Sequence, residues 1–237
     1  MTGPAPQTGA AIAPPQRRHR AATTPPHPRR KGPFIEAGIN ETLDSIARRR
    51  SVRLFTDQPV SHEDLLTILA AANQAPSAHN QQSWRFTVVR ADGKKAELAQ
   101  LVGDHAARFP RPSSTLLRMA ARSIASAPVV IGVANTGELI RHGQDLFQVD
   151  KKAAGGFFRT MEIQSSAAAV ENLLLAATSL GIGSVWLGIL FLMKREVREF
   201  LGEADGEFMA VVALGYQAKN ATGPRKRPVE AMVRYME

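Results

Sequence analysis

Apolar residues recur along the chain with a helical period in some segments and as short unbroken runs in others. Asn40 can cap a helix whose apolar stripe is Leu43, Ile46 and Ala47, and a capping-box-like start at Ser61 opens a second helical pattern. Short apolar runs between such segments are typical of buried strands. We therefore predict helices over residues 40–49, 61–72, 96–102, 114–126, 161–180 and 194–201, and strands over residues 85–90, 128–134, 184–188 and 207–214.

Two segments depart from these patterns. Residues 135–156 contain four glycines and no clear period, so we predict an irregular lid or connecting loop there. Residues 172–193 carry no charge and reach the roughly 20 residues that can cross a bilayer, but Gly181 and Gly183 interrupt them. We predict a helix ending at Leu180, then a buried strand, and no membrane span. Four strands between helices indicate a layered α/β or α+β domain.

Charge is concentrated at the N-terminus. The 237-residue chain has 30 Lys and Arg against 21 Asp and Glu, a formal net charge of +9, and residues 1–33 hold six basic residues and no acidic one. This segment is rich in proline and poor in large apolar side chains, so we predict a disordered basic tail at 1–33 and a folded domain at 34–237. Its composition also overlaps with that of transit peptides. Binding of nucleic acid by the tail is an accessory alternative, and we do not expect nucleic acid to be the main partner.

Several kinds of catalytic site are excluded or lack support. The chain has no cysteine, which excludes disulfides, thiolate metal sites and a cysteine nucleophile. The six histidines show no metal-ligand spacing, and neither a glycine-rich nucleotide loop nor a G-x-S-x-G elbow occurs. We therefore predict no metal centre and no protein nucleophile.

Three polar clusters are candidates for a binding site. Residues 49–53 (RRSVR) place four donor side chains where a helix passes into an extended segment, which suits a phosphate group. Residues 75–86 join small and amide residues to Trp84 and Phe86, and such groups can bind the polar edge of a planar heterocycle. Residues 225–227 (RKR) indicate a binding site only if they and the first cluster bind the same anion. The alternatives are a solvated helix end, an ordinary helix–strand loop and a solvated basic terminus.

These clusters carry a resemblance to a known family. Residues 48–89, RRRSVRLFTDQPVSHEDLLTILAAANQAPSAHNQQSWRFTVV, resemble the opening of the FMN-dependent nitroreductase superfamily, with its R-x-S-x-R/K and P-S-x-x-N-x-Q-x-W segments in this order. Residues 167–188 resemble the long central helix and following strand, and residues 211–230 resemble the last strand and basic arm. The chain departs from the pattern at Ser83, where many members have proline, and at Leu187, which is glutamate in the bacterial nitroreductases.

The resemblance implies a fold, a cofactor and an assembly. The fold would be α+β, a mixed central sheet flanked by helices, in an intertwined homodimer with two FMN sites at the interface. The implied contacts to FMN are Arg49, Arg50, Ser51 and Arg53 at the phosphate and ribityl chain, Arg225 and Arg227 at the phosphate, Pro76, Ser77, Ala78, Asn80 and Gln82 along the ring, and the backbone amides of Leu187 and Gly188 near the reactive part of the ring.

The resemblance also implies the chemistry. FMN would accept hydride from NADH or NADPH and then reduce a small planar acceptor such as a nitroaromatic or a quinone, so no side chain is predicted to be catalytic. The alternative is an FMN-dependent dehydrogenase or oxidase that acts on a biosynthetic intermediate with O2 as acceptor. We expect a cytoplasmic enzyme without a membrane partner. Candidates to line the acceptor pocket are His79, Phe109, Phe147, Phe157 and Phe158, with core packing as the alternative for each Phe.

Overall fold

The computed structural model describes residues 40–146, 150–203, 205–220, 223–224 and 226–237. Within these ranges the helices are α1 (Glu41–Arg48), α2 (His62–Asn73), α3 (Asp92–Ala106), α4 (Arg111–Ser126), α5 (Glu138–Leu146), α6 (Lys151–Ser179) and α7 (Lys194–Phe200). The strands are β1 (Trp84–Val89), β2 (Val129–Asn135), β3 (Gly183–Trp186) and β4 (Glu207–Gly215). Short 3₁₀ helices lie at Ala78–Asn80, Gly188–Met193 and Val229–Ala231. The predicted tail, residues 1–33, lies outside the described residues, as do Phe147 and Arg225.

The first two helices begin where the sequence predicts. The Leu43 N–H donates to Asn40 Oδ1 at 2.9 Å, and the Asp64 N–H donates to Ser61 Oγ at 2.9 Å. Each contact satisfies one of the first N–H groups of a helix, and such a cap contributes about 1 kcal/mol. The predicted caps are therefore confirmed.

The strands form one sheet in the order β1-β2-β4-β3, and neighbouring strands are antiparallel throughout. A parallel bridge between Ser51 and Ser184 attaches the segment after α1 to the β3 edge. The predicted α+β architecture is confirmed. The resemblance implies a mixed sheet, and within the described residues its parallel pairing is limited to this single bridge.

Helices cover both faces of the sheet, which explains the unbroken apolar runs of the inner strands. On one face Val130 of β2 joins a core with Leu117 of α4. On the other face its neighbour Ile131 joins a core with Ile68 of α2 and Leu173 of α6. All five side chains are fully buried, and burying one such side chain contributes about 1.5–3 kcal/mol.

The prediction of an irregular segment over residues 135–156 is wrong. α5 occupies much of it, and α6 begins at Lys151, well before the predicted start at residue 161. Glycine lowers helix propensity, but packing outweighs this effect here. A Cβ on Gly143 would lie 2.5 Å from the Phe158 ring, so the missing side chain lets α5 approach α6 closely.

The uncharged stretch over residues 172–193 divides as predicted. It supplies the end of α6, the strand β3 and the 3₁₀ helix that follows, with Gly181 in a left-handed conformation (φ 75°) at the turn between helix and strand. None of the helices in the described ranges is both long and apolar enough to span a bilayer.

Candidate functional site

The segment after α1 places alternate residues on its two sides. Arg49 ends α1 in an extended conformation, and the chain then runs beside β3, where the Val52 N–H donates to Ser184 O at 2.9 Å. Val52 is buried, whereas Ser51 and Arg53 are exposed. Because side chains alternate along an extended chain, the donors at positions 49, 51 and 53 share one side. They form a row of polar groups along the β3 edge.

The arginines of this segment differ in what they already bind. Arg50 donates from Nη1 to the carbonyl oxygens of Ala47 (2.7 Å) and Arg49 (2.8 Å), so its guanidinium stabilises the C-terminal end of α1. Arg49 Nε lies 3.7 Å from Glu171 Oε1, an exposed contact of small energy. Arg53 makes one long hydrogen bond, at 3.4 Å, to a neighbouring carbonyl oxygen. Arg49 and Arg53 are therefore better placed than Arg50 to bind a ligand.

The C-terminal arm, residues 216–237, crosses the same segment. A Cβ on Gly223 would lie 3.0 Å from Arg50 Cδ, so the backbone of the arm passes directly over the arginine stem. Arg227 follows four residues later and is exposed, while Arg225 lies outside the described residues. The structure thus brings the arm to the residue 49–53 segment, although the two are far apart in the sequence. The Gly-Pro pair before the basic run is the sequence sign of this close approach.

β3 leads from this segment to Leu187 and Gly188. The Leu187 N–H donates to Val211 O at 2.8 Å and so belongs to the sheet. Gly188 is exposed and opens a 3₁₀ helix, whose first N–H groups have no partner within the helix. Of the two predicted amides, that of Gly188 is the better donor for a ligand. Ser184 Oγ in the same strand is buried without a hydrogen-bond partner among the described residues, and no sequence motif marks it.

The loop of residues 76–82 has an unusual backbone. His79, Asn80 and Gln82 have φ values of 53°, 54° and 48°, in the left-handed region that residues other than glycine rarely adopt. The Gln82 N–H donates to Ser77 Oγ at 3.0 Å and closes the loop. Such strain is concentrated at functional sites in proteins, because the surrounding structure must enforce it.

The loop is anchored to α6 and exposes amide groups. The Ala78 N–H donates to Ser165 Oγ at 3.1 Å. Gln82 Nε2 donates to Asn80 Oδ1 at 3.2 Å, so these two exposed side chains orient each other. Pro76 is also exposed. The loop therefore presents polar groups on a firmly attached edge.

The loop and the arginine segment lie at opposite edges of the sheet. The loop precedes β1 while Ser51 is bridged to β3, and β2 and β4 lie between them, a width of about 14 Å at ordinary strand spacing. Both segments contact α6, at Ser165 and Glu171, but six helical positions put these contacts about 9 Å apart along the axis and roughly 120° apart around it. A single chain does not gather all the predicted site residues around one point.

A shallow cavity of about 410 Å³, wide open to solvent, lies beside the loop. It is lined by Gln81 of the loop and by Glu138, Arg141 and His142 of α5. Sequence reasoning missed these α5 residues because it predicted an irregular segment there.

The aromatic pocket candidates fall into two groups. Phe158 is fully buried against α5, and Phe109 is partly buried against the α3–α4 core, so both serve packing. Phe157 is 56% exposed, and His79 is exposed on the loop. Phe157 and His79 are therefore the two that are accessible to a ligand.

Comparison with known proteins defines the class. The nitroreductase family model matches residues 46–216. An Archaeoglobus fulgidus protein, whose name combines NADH dehydrogenase with NAD(P)H nitroreductase, is 34% identical over 181 residues, which cover 75% of this chain and 86% of its own. The 5,6-dimethylbenzimidazole synthase of Rhodospirillum rubrum is 29% identical over 170 residues, 68% of this chain and 75% of its own.

Solved structures agree with the sequence relatives. A Bacteroides fragilis nitroreductase with bound FMN has a TM-score of 0.62 at 29% identity and covers 84% of this chain and 100% of its own. A BluB-like flavoprotein of Clostridium difficile has a TM-score of 0.67 at 27% identity and covers 82% of this chain and 98% of its own. Fold and site together thus define an α+β domain with a cationic sheet edge. The chain belongs to the nitroreductase family of oxidoreductases, as its sequence motifs predict.

Proposed function

We propose that this protein is an FMN-dependent oxidoreductase that uses NADH or NADPH to reduce small planar acceptors such as nitroaromatics or quinones. The observation that carries the proposal is that the segment of Arg49 and Arg53 is bridged to β3, which leads to Gly188, while the arm passes over the neighbouring Arg50 at Gly223, in a chain of the nitroreductase family. The FMN bound in the Bacteroides fragilis structure and the NAD(P)H in the name of the Archaeoglobus fulgidus relative support it.

The donors along the β3 edge suit the phosphate and ribityl chain of FMN. Ser51 lies between Arg49 and Arg53 on the same side of the extended segment, so a hydroxyl and two guanidinium groups can reach one anionic group. Each charge-assisted hydrogen bond contributes roughly 1.5–3 kcal/mol. We assign Arg225 and Arg227 to the same phosphate, because the arm enters this region at Gly223.

The ring of the cofactor is assigned to the exposed polar groups that remain. The Gly188 N–H would donate to the ring, and the amide groups of Asn80 and Gln82 would bind its polar edge, beside Pro76, Ser77 and Ala78. When bound, FMN supplies the two-electron transfer between nicotinamide and acceptor. The chain itself binds and orients the reactants, and none of its side chains is needed as a nucleophile.

A second copy of the chain would complete this site. The loop of residues 76–82 stands at the sheet edge opposite its own arginine segment, so we propose a homodimer in which the loop of one protomer faces the β3 edge of its partner. One protomer would then bind the phosphate end of FMN and donate the Gly188 N–H to the ring, and the other would bind the polar edge of the ring through its loop. The exposed apolar residues of the C-terminal arm support such an assembly, since monomers rarely leave apolar segments uncovered.

A second candidate function is an FMN-dependent dehydrogenase or oxidase that acts on a biosynthetic intermediate with O2 as acceptor. The similarity to the 5,6-dimethylbenzimidazole synthase of Rhodospirillum rubrum favours it. Anaerobic mixing separates the two functions. Bleaching of the bound flavin by NADH or NADPH supports the reductase, and failure with both nucleotides supports the alternative.

The cofactor assignment is tested by FMN binding. Arg53→Ala should weaken FMN binding roughly 10- to 100-fold, because it removes charge-assisted hydrogen bonds to the phosphate. The matched control is Arg195→Ala on α7, whose guanidinium lies near Glu196 and Glu199 of the same helix. Affinity is measured by quenching of FMN fluorescence. A wild-type protein that binds no FMN contradicts the proposal, and equal affinity in both variants removes Arg53 from the site.

A further inference from the structure

A group of buried polar side chains lies beneath the loop and α5. Glu162 and Ser166 of α6 and Asn135 at the end of β2 are fully buried, and Ser83 is 3% exposed. Ser166 Oγ donates to Asn135 Oδ1. Glu162 Oε2, Asn135 Nδ2 and Ser83 Oγ have no hydrogen-bond partner among the described residues. A buried carboxylate is costly, so its surroundings must compensate for it.

Part of the cost of burying Glu162 is offset by backbone N–H groups at the start of α5, which its carboxylate caps. The Leu139 N–H donates to Glu162 Oε1 at 2.8 Å, and the backbone at Gly137 and Ile140 also faces the carboxylate. The other contact at this helix end is weak, since the Glu138 N–H lies 3.4 Å from a threonine hydroxyl. A negative charge is favourable at a helix N-terminus. The first turn of α5 is therefore bound mainly by a side chain of α6.

The same carboxylate also faces the base of the loop. Ser83 directly follows the loop of residues 76–82, and its hydroxyl lies close enough to Glu162 to stabilise the ionised form, although it is not in full hydrogen-bond geometry. Ser83 O accepts from the Thr136 N–H at 2.9 Å, just before α5 begins. Glu162 thus stands where the base of the loop and the start of α5 meet.

The open cavity of about 410 Å³ lies above this junction, lined by Gln81 of the loop and by Glu138, Arg141 and His142 of α5. We propose that Glu162 is a positioning residue, which fixes α5 relative to the loop and so sets the width of this cavity, where the acceptor binds. The role in acceptor binding rests on the proposed function. Charged residues on the two helices include Glu138 of α5 and Arg159 of α6, and Arg159 pairs with Glu207.

Two variants test the proposal. Glu162→Ala should raise hydrogen exchange of the α5 amides over residues 138–143 by roughly 10- to 100-fold, because the charged acceptor is lost. Glu162→Gln keeps the shape and one acceptor oxygen, so it should fold and give an intermediate rise. In steady-state kinetics with menadione as acceptor, the KM for menadione should rise in both variants, while FMN affinity stays within about twofold.

Val170→Ala is the matched control, since it opens space at a fully buried position of α6 away from α5. It should leave α5 exchange and the KM for menadione unchanged. Unchanged α5 exchange in Glu162→Ala overturns the proposal. Faster exchange with an unchanged KM overturns the role in acceptor binding. If the wild-type protein neither binds FMN nor turns over, the proposed function fails, yet faster α5 exchange would still support the positioning of α5 by Glu162.

Discussion

Backbone strain is concentrated in three residues of the loop of residues 76–82. His79, Asn80 and Gln82 adopt left-handed conformations, which cost roughly 1–2 kcal/mol each for most residues and less for asparagine. The hydrogen bonds from the Gln82 N–H to Ser77 and from the Ala78 N–H to α6 hold this conformation. The conformation that presents the amide groups of the loop at one edge therefore lowers the stability of the folded protein.

The strain at position 79 predicts a difference between two substitutions. His79→Gly and His79→Val both lose the contacts of the imidazole, but only glycine accepts a φ of 53° without steric cost. In urea titrations, we expect the free energy of unfolding of the valine variant to be about 1–3 kcal/mol lower than that of the glycine variant. Equal stability of the two variants would show that the loop relaxes to another conformation.

The buried carboxyl of Glu162 predicts a pH dependence of stability. Burial raises the pKa of Glu162 above its ordinary value of 4.5, so the folded protein binds this proton more tightly than the unfolded chain does. Stability from this proton is fully present below pH 4.5 and is lost as the pH rises through the raised pKa. Glu162→Gln has no titrating group at this position. The free energy of unfolding of this variant, relative to that of the wild type, should therefore increase as the pH rises through the raised pKa and then become constant.

Denaturant titrations of both proteins from about pH 4.5 to 8 measure this difference. A difference that is constant over the whole range would mean that the pKa of Glu162 is the same in the folded and unfolded states.

At the residue scale, the sequence predicts side-chain pattern better than hydrogen-bond partners. The burial of Val52 between the exposed Ser51 and Arg53 follows from the period of an extended chain, which the sequence contains. The binding of Arg50 to the α1 carbonyls depends on where the helix ends. The donation of the Leu187 N–H to Val211 depends on which strand becomes its neighbour, and no local pattern contains that information.

At the scale of elements, the glycines of α5 and of the first turns of α6 led to the wrong prediction of an irregular segment there. Gly143 and Gly156 look alike in the sequence, since each lowers helix propensity. In the structure they differ: Gly143 faces the Phe158 ring at the contact of the two helices, whereas Gly156 has open space around it. Long apolar patterns such as α2 and α4 were predictable because their burial is periodic.

This difference predicts opposite effects of alanine at the two glycines. Gly143→Ala places a methyl group 2.5 Å from the buried Phe158 ring and should destabilise the protein by about 1–3 kcal/mol. Gly156→Ala on α6 meets nothing and should stabilise it by about 0.5–1 kcal/mol, because alanine is the better helix former. Thermal unfolding followed by circular dichroism compares them, and a shift of the same sign in both would contradict the packing described for α5.

At the scale of the whole molecule, the last part of the C-terminal arm, residues 229–237, exposes five apolar side chains. Its exposed apolar residues are Val229, Met232, Val233, Tyr235 and Met236. Stable dimers bury about 800 Å² per partner, and such arms are typical of surfaces that a second chain covers.

The proposed homodimer predicts the effect of removing residues 229–237 of the arm. A chain that ends at Pro228 should shift from dimer to monomer in sedimentation velocity at micromolar concentration, because it lacks this apolar surface. Its circular dichroism spectrum should stay close to that of the full chain, since none of residues 229–237 belongs to the two main cores. A truncated chain that stays fully dimeric would place the interface elsewhere.

The order of strands in the sheet also determines how long β2 lacks one of its neighbours during synthesis. β4 is central in space but last in the chain, and Asn135 of β2 pairs with Glu207, 72 positions later. Ribosomes add about 5–20 residues per second, so the fully buried apolar strand β2 waits roughly 4 to 14 s before its inner neighbour is made. During that interval one long edge of β2 is bare, and the nascent chain depends on helices or on a chaperone to keep it from other strands.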